Sequence, residues 1–139
     1  MLPTPVTVFF GNLHSHTSYS DGSATPEDAY RHARDVARLD FLAVTEHNHT
    51  QAGGAIARDH TLYEGPRADS LISTAGRLTQ DGRFVALFGQ EFSSISKGNH
   101  ANVLDVGEVI DENEVPNGEW DNLLNTWLPA HRDSQESSC

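Results

Sequence analysis

Residues 11–30 read GNLHSHTSYSDGSATPEDAY, with two histidines two apart and an aspartate five residues beyond the second. In an extended chain, residues i and i+2 point to the same face. His14 and His16 can therefore aim two imidazoles at one point, and Asp21 can add an oxygen from the turn beyond them. His47 in TEH, Glu91 in GQE and His100 in GNH supply further nitrogen and oxygen donors. Imidazole mixed with carboxylate, without thiolate, suits Zn, Mn or Fe, whereas Mg and Ca favour all-oxygen sites. So many donors suit more than one ion, with Glu91 as the carboxylate to bridge two. Metals a few ångströms apart acidify a shared water and hold both the attacking and the leaving oxygen of a phosphate ester.

Taken singly, each residue has a blander reading. A lone His-x-His on a strand is usually structural, Glu91 alone could be a rim carboxylate, and His100 alone a loop histidine. The joint pattern argues for a metal site, because each of these residues falls at the border of an expected strand. His49, two residues after His47, is expected in an outer role. His32 reads as solvent-exposed on a helix, His60 as a loop residue, and His131 as part of a polar tail. His32 and His60 are not expected to bind metal, and His131 is a weak candidate. Asn48-His49-Thr50 matches a glycosylation sequon, but it abuts a proposed ligand, and the match is read as accidental.

The donors need elements to position them. VTVFFGNLH (6–14) is β-branched and aromatic and reads as a buried strand. Thr25 is the N-cap of a helix with Pro26 at its first position and Glu27 and Asp28 in its first turn. Ala29, Ala33, Val36 and Ala37 form its apolar stripe. LDFLAVTEH (39–47) reads as a second strand, covered on both faces. Residues 48–66 read mostly as loop. Ala68, Leu71, Ile72, Ala75 and Leu78 mark a second helix ending near Asp81-Gly82, and RFVALFGQE (83–91) and HANVLDV (100–106) read as two more strands. Residues 107–118 read as loop. Trp120, Leu123, Leu124, Trp127 and Leu128 outline a last helix stopped by Pro129, before a polar tail over about 130–139. Strand–helix alternation predicts an α/β fold with a largely parallel sheet, whose strand C-terminal ends gather the chemistry.

The 139 residues suit one domain, 1–139, and fall short of a complete eight-unit barrel of roughly 250 residues. The formal charge of −11 disfavours nucleic acid and anionic membranes, while bound cations could still hold a phosphorylated substrate. Cys139 is the only cysteine, so no disulfide within the chain and no cysteine-rich zinc site can form. No membrane-spanning run or secretory signal is evident, which makes a cytoplasmic location the default, with a secreted precursor as the alternative.

NLHSHTSYSDG, TPEDAYRHA, LDFLAVTEHN, GQE and GNHANVL together resemble the PHP domain, named for polymerase and histidinol phosphatase. The likeness covers about residues 8–106 and is greatest to stand-alone metal-dependent phosphoesterases. It implies the N-terminal portion of a distorted seven-stranded, TIM-like (β/α) barrel with up to three divalent metals. By motif position, His14 and His16 would hold the first metal, Glu91 would bridge the first and second, and His100 would hold the second. Asp21 and His47 would hold the third. A metal-bridging hydroxide would attack a phosphate ester, with no catalytic side chain beyond the ligands. Asn12 and Glu46 stand where the family often has Asp, and with His49 they are expected to support the ligands. Arg38 stands where a Gly commonly ends the first helix.

No Asp-x-His occurs after residue 106. The family's later ligands and second half-barrel are thus missing, which predicts an incomplete domain with an open sheet edge prone to self-association. The resulting expectation is a metal-dependent phosphoesterase acting on a small phosphorylated substrate, impaired in so short a chain. The alternatives are a non-catalytic relative that binds metal weakly or acts by association, and a metal-dependent hydrolase of other esters or amides.

Overall fold

The computed structural model describes residues 6–93 and 99–132. Its sheet contains β1 (Gly11–Asn12), β2 (Phe41–His47), β3 (Val85–Ser93) and β4 (His100–Leu104), in the spatial order β1-β2-β3-β4. The first three strands run parallel and β4 runs antiparallel to β3. The connection through residues 94–99 is too short for a parallel crossover, which takes a dozen or more residues. The fold is therefore mixed α/β, with a four-stranded sheet that curls like part of a barrel. The curl shows in one bond. Asn102 on β4 donates to Leu13 O beside β1, 3.3 Å away, although two strands lie between them.

The first strand differs most from expectation. Regular pairing is confined to Gly11–Asn12, with flanking bonds from Asp40 N to Phe10 O and from Thr45 N to Ser15 O. Phe9 and Phe10 are 67% and 66% exposed, and Val6, Val8 and Leu13 are exposed too. An apolar segment is buried only where another element covers it, and among the described residues β1 is an edge with a partner on one side.

α1 (Pro26–Arg31) starts as the sequence predicts, with Thr25 Oγ1 accepting from Asp28 N at 3.2 Å. It runs into a wider π turn at His32–Val36. The extra residue rotates the end of the helix, so Val36 of the expected stripe is exposed while Tyr30 and Ala33 are buried. Arg38 then adopts a left-handed φ of 59°.

The loop after β2 contains a 3-10 turn (Thr50–Ala52) and α2 (Thr61–Glu64). α3 (Leu71–Leu78) is shorter than its pattern, because Ser70 caps it and leaves Ala68 outside, exposed. The last helical segment comprises α4 (Trp120–Asn122), a π turn (Leu123–Trp127) and α5 (Leu128–Arg132). Pro129 does not stop it. Proline breaks a helix by removing an N–H and crowding the preceding turn, and the widened turn just before it accommodates the ring. Residues 133–139 of the expected tail lie outside the described residues.

α1 and α3 cover one face of the sheet. Tyr30, Leu42, Val44, Leu71, Phe84 and Ala86 belong to the main core there, and a second cluster joins Phe92, Ile110, Val115, Leu123 and Trp127. Among the described residues, no helix is long and apolar enough to cross a membrane.

Candidate metal centre

Strand alternation sorts the donors. Leu42 and Val44 of β2 turn toward the helices, so Thr45 and His47 take the other face. His47 is the in-register partner of Glu91 on β3, which puts an imidazole and a carboxylate side by side. His14 and His16 reach the same point from the end of β1. Their Nε2 atoms lie 3.3 Å apart, and the rings of His16 and His47 stack with centroids 4.3 Å apart.

Glu91 lies at the middle and is only 5% exposed. Its Oε2 is 3.1 Å from His16 Nε2, 3.2 Å from His47 Nδ1 and 3.9 Å from His14 Nε2. Its Oε1 is 2.5 Å from His100 Nδ1, which Ser93 Oγ also approaches at 2.9 Å. On the opposite side, Asp21 is 3.6 Å from His47 Nε2 and 3.9 Å from His16 Nδ1. Among the described residues, two groups have ligand atoms close enough to share an ion: His14, His16 and Glu91, and His16, Asp21 and His47. His100 joins neither group, being engaged by Glu91 through Nδ1.

The donors fit a divalent cation on two grounds. Glu91 Oε2 and His47 Nδ1 are buried and have no hydrogen-bond partner. Such orphans are costly unless something joins them. Burial, and after it the neighbouring His47, also lowers the His16 pKa, and a neutral imidazole is the form that ligates.

The supporting residues form a second layer. Glu46 is fully buried and turned away from His47. Its carboxylate accepts from Thr17 N at 3.0 Å and from the hydroxyls of Thr17 and Ser20. Burial pushes the Glu46 carboxyl above its usual range, and those hydrogen bonds pull it back. The loop carrying His16 and Asp21 is thereby pinned to β2. A side chain at Gly22 would strike the His16 carbonyl, so the loop closes tightly at that point. Ser20 Oγ also lies 3.3 Å from His16 Nδ1. With its own proton given to Glu46, it accepts from Nδ1–H and leaves the Nε2 lone pair facing Glu91. Thr45 Oγ1 orients His14 Nδ1 in the same way at 2.8 Å. Asn12 accepts from His14 N through Oδ1 at 3.1 Å and supports the backbone there. His49 is buried beside His47, with ring centroids 5.8 Å apart, and burial, then His47, lowers its pKa.

Thr45, Ser20, Ser93 and Asn102 are site residues that the sequence motifs do not single out. Strand alternation could have found three of them: Thr45 is two before His47, Ser93 two after Glu91, and Asn102 two after His100. His32 is exposed on the π turn after α1. His60 lies 3.6 Å from Asp111, and His131 stacks on Trp127, both outside the two ligand groups. Asn48 is buried with its amide donating to Ile110 O, which leaves no room for a glycan.

No protein-family model and no curated protein matches the chain. Among solved structures it is similar to a two-domain protein from Bacteroides vulgatus ATCC 8482 described as containing a predicted PHP-like metal-dependent phosphoesterase, with a TM-score of 0.55 and 19% identity. The match covers 94% of this chain and 38% of that one. At this identity the likeness is one of fold.

Proposed function

We propose that the chain is a metal-dependent phosphoesterase of the PHP type, acting on a small phosphorylated substrate. The observation that carries this is the unpaired Glu91 Oε2 set among the nitrogens of His14, His16 and His47. The similar fold of a predicted PHP-like phosphoesterase supports it. His14, His16 and Glu91 would hold one ion, and Asp21 with His47 another, with His100 next to Glu91. When bound, such ions supply an acidified water and a Lewis acid for the ester oxygens. The chain's own part is orientation. Ser20 and Thr45 set imidazole tautomers, and Glu46 holds the loop that brings His16 and Asp21 to β2. The net negative charge matches a substrate recruited through bound cations, not through a basic surface.

Metal analysis of the purified protein, with a p-nitrophenyl phosphate assay in added Mn or Zn, tests this. The expected result is bound metal and turnover that disappears in His16→Ala. Protein that binds no metal and turns over nothing would defeat it. A second reading, a metal binder without catalysis, is favoured by the three protein donors in each ligand group. It predicts bound metal without turnover.

A further inference from the structure

We infer that His49 is a hydrogen-bond donor to an anionic oxygen at the centre, and not a metal ligand; this rests on the metal-dependent reading above. His49 is the N-cap of the 3-10 turn, and its Nδ1 accepts from Ala52 N at 3.1 Å. A backbone N–H can only donate, so Nδ1 carries the lone pair. A neutral imidazole has one proton, which is therefore on Nε2. A protonated nitrogen offers no lone pair to a metal.

That Nε2–H has no hydrogen-bond partner, and His49 is only 2% exposed. A buried donor without an acceptor is costly and calls for a partner. The ring is tilted 48° to that of His47, and the charged groups that act on it are His47, Glu112, Glu91 and His100. Glu112 accepts from Thr50 N at 3.1 Å and from Thr50 Oγ1 at 2.9 Å, and makes no hydrogen bond to His49 Nε2. Glu91 Oε2 is itself buried and unpaired. His47 thus has two neighbours with unmet needs: the His49 ring, 5.8 Å away between centroids, whose Nε2 lacks a partner, and Glu91 Oε2, 3.2 Å from His47 Nδ1, which lacks a donor. Two oxygens could take up the proton: the Glu91 carboxylate as it turns on metal loading, or a phosphoryl oxygen of the bound ligand.

Two variants separate the roles of the ring. His49→Asn keeps a favoured capping acceptor but is too short to place a donor at Nε2. His49→Gln carries an amide NH2 far enough out to replace it. Imidazole 15N NMR of the metal-free protein should show the Nε2–H tautomer. Calorimetry should then give Zn affinity, and inorganic phosphate affinity of the Zn-loaded protein, for all three chains. One of these affinities should fall about tenfold or more in His49→Asn and stay within about threefold of wild type in His49→Gln. Loss of Zn affinity identifies the Glu91 oxygen, and loss of phosphate affinity alone identifies the ligand's. An Nδ1–H tautomer, or a folded His49→Asn that binds Zn and phosphate like wild type, overturns the inference. Wild-type protein with no Zn affinity defeats the metal-dependent reading and this inference with it; an inert His49→Asn in a metal-binding chain defeats only this inference.

Discussion

His47 and Glu91 are in-register partners on adjacent parallel strands, and His47 Nδ1 stands 3.2 Å from Glu91 Oε2 with neither atom hydrogen-bonded. Without metal, this pair weakens the fold. Glu91→Gln should raise the stability of metal-free protein by about 1 kcal/mol, because it replaces a buried carboxylate whose Oε2 has no hydrogen-bond partner. The gain is limited to the Oε2 side, since Oε1 already faces His100 Nδ1. The same variant should lose the added stability that metal brings, about 2.7 kcal/mol at a hundred times the dissociation constant. Thermal melts with and without Zn, and after chelation, measure both. A Glu91→Gln chain that Zn stabilises as well as wild type would count against the centre.

The Glu46 carboxylate hydrogen-bonds to Thr17 and Ser20, and so grips the loop that carries two of the proposed ligands. Ser20→Ala removes the link from Glu46 to His16 Nδ1 while leaving the Thr17 bonds in place. Metal affinity should fall about tenfold to a hundredfold, as for other groups that orient a ligand. Titration with Zn against a competing chelator reads this. Unchanged affinity would mean that the His16 tautomer is set by something else.

Arg38 has a φ of 59°, in the left-handed region that costs an L side chain about 1 kcal/mol. Arg38 is also exposed. Arg38→Gly should therefore raise stability by up to about 1 kcal/mol, read as a shift in the urea midpoint at constant slope.

Tyr30 and Tyr63 are buried, with hydroxyls donating to Leu87 O at 2.7 Å and Val106 O at 2.8 Å. Burial raises both phenols above the ordinary value of 10.0. The unfolded chain thus releases these protons first as the solution becomes alkaline. Stability is fully present below about pH 10 and is lost as pH rises from there toward the raised folded values, by about 1.4 kcal/mol per pH unit for each tyrosine. Tyr63→Phe should cost about 1 kcal/mol at neutral pH and make the alkaline decline shallower. Urea unfolding between about pH 8 and pH 11, a range that brackets the ordinary tyrosine value, tests both parts.

The exposed Val8, Phe9 and Phe10 directly precede β1, the edge strand among the described residues. An open cavity of about 460 Å³ next to Asn12 of β1 has a mixed lining that includes Asp28, His32, Ala29, Ala33 and Leu42. An apolar edge of this kind templates pairing with another chain. Light scattering should show concentration-dependent association that Phe10→Lys reduces. A stable monomer at high concentration would exclude pairing through this edge.

Most of the centre is legible in the sequence because its chemistry is local. His14 and His16 declare themselves by spacing, and Thr25 and Pro26 mark the helix start whatever the rest of the chain does. His47 and Glu91 sit on apolar runs that form strands close to where the pattern puts them. What composition cannot encode is coverage. VTVFF reads as buried because it is apolar, but its burial depends on a neighbour, and among the described residues the edge strand has one on one side alone. The π turns leave no mark in the pattern, because one inserted residue rotates a helix face without altering its propensities. Val36 and Pro129 therefore depart from their expected roles. The short link into β4 does carry the antiparallel signal, since so few residues cannot cross over to a parallel strand.

The placement of the donors also has a dynamic consequence. His47 and Glu91 sit on β2 and β3, which pair with each other continuously from Phe41 opposite Val85 to His47 opposite Glu91, and the amides in that ladder should exchange with solvent slowly. His14 and His16 hang from a two-residue strand at the rim, tied by Asn102 and a few backbone bonds. The centre thus straddles the most and the least protected parts of the sheet. An ion there would act as a clasp, and its first visible effect would be slowed deuterium uptake in residues 9–16, with little change in β2 and β3.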